Sequence, residues 1–409
     1  MRRLFMALCL FLPLSILAKS RIYNPQVKSL QAVVNQDWLS PAVMRLGSDD
    51  VLNVAFDELS HQYHRYIYKV EHCEADWTPS EELFESEWLE GFNDNTIDDY
   101  ENSVNTTVAY THYWLQIPNE RCRLKLSGNY KLHVLDENND NEEILMVEFM
   151  VTEQTMGLDL SVTTNTDIDL NASHQQVSMN LSYGRWQVTN PEDQIQTVVM
   201  QNQRIARKNV RPNYKNPSGS VNLSWTHNRA LIFDAGNEYH KFEVLDVSHP
   251  TMGIERIIWD GERYQAYPFA STIRRNYLTD VSANGAFLIR NSDRSEINYT
   301  CEYVWVNYTL EAPYCGDIFL QGQWTNNADQ TAYQMQYDGG GQCYRTQVMQ
   351  KQGYYSFQYV TKEGKTAPTE GNFYQTRNTY QALVYYKGLG DRTWQLVGYH
   401  VSPQVPKRY

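Results

Sequence analysis

From Arg65 to His72 the chain alternates: Tyr66, Tyr68, Val70 and His72 share one face, Arg65, Lys69 and Glu71 the other. That period of two is the signature of a strand buried on one side, and it recurs at short intervals throughout. Thr107 to Ile117 and Leu124 to Leu135 read the same way. The Asn/Asp-rich turn Asp136 to Glu143 joins the latter to Ile144–Val151 as an antiparallel hairpin. After Thr155 a fresh series begins: Leu158–Val162, Val177–Tyr183, Ile195–Gln201, Val221–Trp225, Phe242–Val247 and Ile254–Trp259, each bounded by Asn, Gly, Pro or Asp clusters. A third series runs from Tyr303–Leu310 to Trp394–Val401. The chain has 30 Tyr and 10 Trp, which favour strands, and long helical stretches are scarce. The expectation is an all-β chain of three consecutive β-sandwiches, immunoglobulin-like in character, at 21–155, 156–293 and 294–409.

Residues 1–20 read as a cleaved signal peptide: Arg2 and Arg3, an apolar run from Leu4 to Leu17, then Ala18-Lys19-Ser20. The run is shorter than the about 20 residues a membrane span needs, and no later stretch comes closer. This predicts an exported protein without direct membrane insertion. The formal charge is −13, with 35 Lys plus Arg against 48 Asp plus Glu. So acidic a chain repels nucleic acid, which is excluded as a general partner.

Charge is unevenly distributed. Residues 71–102 hold twelve acids and no Lys or Arg, whereas 194–233 hold Arg204, Arg207, Lys208, Arg211, Lys215 and Arg229 and no acid. The two runs could face each other across a domain junction, or each could be a solvated face. Trp77, Trp88, Phe92 and Tyr100 interleave with the acids. Aromatics in a hydrophilic stretch either anchor that stretch to the sandwich or contact a partner. These four are the candidate partner-binding residues.

No catalytic motif is present: there is no nucleophile elbow, no paired-His metal helix and no phosphate loop. Gly339-Gly340-Gly341 precedes a strand and reads as a hairpin turn. Asp136, Asn138 and Asp140 imitate the start of a calcium loop, but Asn141 stands at the turn glycine and Val147 at the bidentate glutamate. His61 and His64 fall on opposite faces of an extended chain. No catalytic residue, metal or cofactor is expected. Trp324, after a strand in Gly322-Gln323-Trp324, could stack on a sugar or pack in a core. Cys73, Cys122, Cys301, Cys315 and Cys343 follow the signal. Cys315 and Cys343, at strand edges, are expected to form a disulfide worth roughly 3 kcal/mol; Cys73 with Cys122 is the other candidate pair.

The string Tyr66-Ile67-Tyr68-Lys69-Val70-Glu71-His72-Cys73-Glu74-Ala75-Asp76-Trp77-Thr78-Pro79-Ser80 resembles the signature of the type IX secretion plug proteins of Bacteroidota. The resemblance continues through Glu90-Gly91-Phe92, Ile97, Tyr100, Ser103, Tyr110–Tyr113 and Leu126–Tyr130, and returns at Lys351-Gln352-Gly353-Tyr354-Tyr355. It implies a non-enzymatic periplasmic protein that closes the inner mouth of a large outer-membrane β-barrel translocon. It also implies that the C-terminal module is similar to early-set domains, which accompany glycan-active enzymes. A periplasmic or surface glycan-binding protein is therefore the alternative expectation.

Overall fold

The computed structural model describes residues 20–216, 218–293 and 296–402; the expected signal peptide lies outside them. Nearly every element is a strand, and the three α-helices among the described residues, Glu85–Trp88, Pro191–Gln194 and Ile297–Thr300, are single turns. No helix among these residues is long and apolar enough to cross a membrane.

In the first sandwich, one sheet runs Arg21–Ile22, Glu142–Thr152, Gly128–Asp136, Tyr66–Cys73, Asn95–Thr96. The other runs Val27–Val34, Leu52–Glu58, Thr111–Ile117, Asp99–Asn102. The alternation of Tyr66–Cys73 puts Tyr66, Tyr68 and Val70 into the core between the sheets, with Phe56, Tyr113, Leu132 and Phe149. Burying side chains of this size contributes about 1.5–3 kcal/mol each.

Local alternation identifies strands but not their partners, and here the expected partition gives way. The second sandwich pairs Gly157–Thr163, His174–Ser182, Leu223–Ser224 and Tyr214–Lys215 in one sheet. Its other sheet runs Ile205–Lys208, Ile195–Gln201, Tyr380–Tyr386, Gln395–Val401. The last two strands come from the C-terminal end of the described chain, and Val199 sits opposite Ala382. One core holds Val177, Leu181, Val199, Trp225, Tyr380, Val384 and Val397. The third sheet system, His240 to Thr361, is thus inserted into the second sandwich instead of following it. Its ten strands fold back on themselves, since Phe242 and Val244 at one end share a core with Ile254 and Ala266 at the other. The sheets therefore do not follow the sequential division into 156–293 and 294–409.

The modules are joined by buried polar bonds. Asp57, wholly buried in the first sandwich, accepts from His112 Nδ1 at 2.6 Å, Tyr303 Oη at 2.6 Å and Lys351 Nζ at 2.8 Å. Tyr303 and Lys351 belong to the third module. Burial pushes the Asp57 carboxyl up, but the Lys351 charge and the His112 hydrogen bond outweigh it and hold the group below its ordinary value. Nearby, Glu302 accepts from the backbone N–H of Thr107 at 2.6 Å, and Tyr110 Oη donates to the Cys301 carbonyl at 2.9 Å. Between the first and second sandwiches, Tyr385 Oη donates to Asn129 Oδ1 at 2.8 Å. Ala75 and Met150 pack there with Val198, Met200, Leu383 and Leu396.

Candidate functional site

The acidic run does not simply hydrate. After Tyr66–Cys73 the chain turns back at Glu74–Ser80, makes the one-turn helix Glu85–Trp88, and pairs Leu89–Gly91 with Cys122–Leu124. Glu74 faces the second sandwich: its carboxylate accepts from Ser80 Oγ at 2.6 Å, Thr393 Oγ1 at 2.7 Å and the Trp394 N–H at 3.1 Å. Arg392 reaches the Glu82 carbonyl at 3.0 Å and the Glu87 carboxylate. Lys69 pairs with Asp94 at 2.8 Å and Arg121 with Asp98 at 3.2 Å. Glu81, Glu82, Glu90, Asp99 and Glu101 are exposed, and their carboxylates make no ion pair among the described residues.

The four candidate aromatics divide. Trp88 is 7% exposed and packs beside Tyr130 and His72 in the first core, so it is not available to a partner. Its burial follows from the helix turn, which aims it inward while Glu85 and Glu87 face out. Trp77 has a left-handed backbone (φ 73°) at the tip of the Glu74–Ser80 turn, and its half-buried ring rests against the apolar cluster between the first two sandwiches. Phe92 is 74% exposed. Tyr100 is exposed and packs against Tyr63, with ring centroids 4.8 Å apart. Phe84, 75% exposed, belongs with them. It was missed by sequence reasoning, although it sits between Glu82 and Glu85 and meets the criterion that selected Phe92. The aromatics that remain exposed in the acidic stretch 71–102, the acidic apron, are Phe84, Phe92 and Tyr100, the last packed on Tyr63.

Among the described residues the basic run approaches the acidic run at the tip of the latter, where Lys208 lies near Asp76. Asp76 feels burial, which raises its pKa, but hydrogen bonds from Thr78 and the nearby charge of Lys208 bring it below its ordinary value. The rest of the basic strand Ile205–Lys208 faces a cleft of about 1360 Å³ at the meeting of all three modules. Trp38, Trp77 and Met150 line it from the first, Met200 and Tyr385 from the second, Phe319 and Tyr333 from the third. Glu148 lies in its wall, and burial pushes its carboxyl up to about 7 against the opposing charges of Lys131 and Arg21.

Other expectations resolve as follows. Trp324 is buried, donates its Nε1–H to the Ser356 carbonyl at 3.0 Å and stacks on Tyr308; it is a core residue and no sugar platform. Gly339–Gly341 is a hairpin turn whose N–H groups reach Asp338 Oδ1. Asp136 Oδ1 accepts the Asn138 N–H at 3.0 Å within a turn. No group of three metal-ligating side chains occurs among the described residues. The five cysteines among the described residues are free thiols, so neither expected bridge forms. Tyr344 turns its hydroxyl toward Cys315, accepting the Cys315 N–H at 2.7 Å; Cys343, its strand neighbour, points to the opposite face.

Residues 27–153 match the sequence model of a family described as the type 9 secretion system plug protein, first domain. The crystal structure of a hypothetical protein from Parabacteroides merdae is 34% identical, covering 94% of this chain and 98% of that chain, with a TM-score of 0.89. An alkylpurine DNA glycosylase from Pseudomonas fluorescens, bound to DNA containing an abasic site analog, is 14% identical over 31% of this chain and 30% of its own, with a TM-score of 0.17 that carries no argument. No curated protein matches the chain.

Proposed function

Because the chain belongs to the type IX secretion system plug family, we propose that it is a non-enzymatic periplasmic protein that closes the periplasmic mouth of a large outer-membrane β-barrel translocon. The observation that carries this reading is the joining of three sandwiches into one body through buried groups such as Asp57, Tyr303 and Lys351. A wide pore needs a stopper that is broad and does not flex, and modules tied by desolvated ion pairs move as a unit. The partner-facing surface in this reading is the acidic apron. Phe84, Phe92 and the Tyr63–Tyr100 pair are the anchors, and the surrounding carboxylates steer the encounter. Trp77 keeps the apron in place and Trp88 supports it from below. The glycan-binding alternative loses its residue, since Trp324 is in the core.

Affinity purification from native outer membranes followed by mass spectrometry tests the proposal. A very large β-barrel protein is expected among the recovered partners. Recovery of the intact protein without any such barrel contradicts it.

A further inference from the structure

The cleft between the modules has properties that closing a pore does not require. At about 1360 Å³ it exceeds the roughly 300–1,000 Å³ of small-molecule pockets. Its charge runs against that of the molecule. Arg21, Arg204, Arg207, Lys208, Lys362 and Lys365 line it against three acids, in a chain whose net charge is −13. No carboxylate among the described residues comes within 4 Å of any of these six cations; Arg204 instead hydrogen-bonds the Gly364 carbonyl and Thr366 Oγ1, and the Arg207 guanidinium lies 4.9 Å from the Phe233 ring centroid.

The same wall presents an open strand edge. Among the described residues Ile205–Lys208 is the terminal strand of its sheet, paired with Ile195–Gln201 alone. The Asn209 N–H reaches the Thr197 carbonyl at 2.7 Å, so by antiparallel alternation the N–H groups of Arg207 and Ile205 also face inward. Those of Ala206 and Lys208 therefore face out of the sheet. Gln381, buried in the cleft wall, leaves its Oε1 without a donor.

We propose that this cleft captures an extended acidic polypeptide segment, which adds a strand to the open edge Ile205–Lys208 and sets its carboxylates against the excess of cations in the cleft wall. Backbone pairing at the edge gives affinity and the cationic walls give selectivity. The inference goes beyond translocon closure and stands independently of it.

The test is fluorescence anisotropy of the purified protein with a labelled decapeptide alternating Glu and Val, compared with its Gln–Val counterpart at 0.15 M salt. The Glu peptide is expected to bind at least tenfold tighter, with the preference shrinking as salt rises. K208Q/K362Q/K365Q, all at exposed positions, should remove that preference. A206P, which deletes an outward N–H, should weaken both peptides at least tenfold. Should A206P fail to fold, hydrogen exchange of the wild type replaces it: added peptide is expected to protect the Ala206 and Lys208 amides. Equal affinity for the two peptides, no binding of either, or an unchanged preference in the triple variant overturns the proposal. So does unchanged exchange at those amides, or displacement of the peptide by a neutral oligosaccharide such as maltoheptaose.

Discussion

At the scale of single residues, the most consequential group is Asp57. Its three donors come from two modules, so removing one strands a buried charge. Lys351→Met is expected to lower stability by about 3–5 kcal/mol in urea unfolding; a loss under 1 kcal/mol would show that the junction tolerates an unpaired carboxylate. Because the folded pKa of Asp57 is depressed, its contribution is present above the unfolded value and lost as pH falls through the folded value. Glu148 has the opposite sign. Its carboxyl is raised to about 7, so the native state holds a proton that the unfolded state releases, and this contribution to stability declines as pH rises from about 4.5 to 7. Glu148→Gln should therefore unfold at higher urea than wild type at pH 8, with the gap closing toward pH 5. A gap that does not change with pH would remove Glu148 as its source.

At the scale of elements, the C-terminal hairpin decides where the second sandwich ends. Tyr380–Tyr386 lies between Ile195–Gln201 and Gln395–Val401 in one sheet, and its Tyr380, Ala382 and Val384 are wholly buried. A chain shortened to residue 379 should lose hydrogen-exchange protection across His174–Ser182, while Tyr66–Cys73 keeps its own. Retained protection in the former would mean that the second sandwich closes without the hairpin. Strands such as Tyr66–Cys73 were legible because one face is buried and the other is not. The insertion was illegible because Tyr380–Tyr386, buried at every position, carries no alternation that names a partner some 180 residues away. The acidic apron was legible as a run of charge and aromatics, but the inward turn of Trp88 depends on a one-turn helix too short to leave a period. Lys362 and Lys365 escaped notice because the cationic cleft is assembled from separate modules, and neither lysine lies in the basic run.

At the scale of the whole molecule, the account rests on three sandwiches acting as one body whose acidic, aromatic surface meets a barrel. Phe84 and Phe92 are exposed, so F84A/F92A should leave stability within about 0.5 kcal/mol of wild type, whereas buried interface aromatics typically carry about 2 kcal/mol or more of binding. The most direct measurement is quantitative mass spectrometry of proteins recovered from native outer membranes with wild type and with F84A/F92A, after matched unfolding curves have been recorded. The account predicts a very large β-barrel recovered with wild type and at least tenfold depleted with the variant. Recovery of no such barrel by the folded wild-type protein would contradict the plug function, and equal recovery with both would contradict the surface assigned to it.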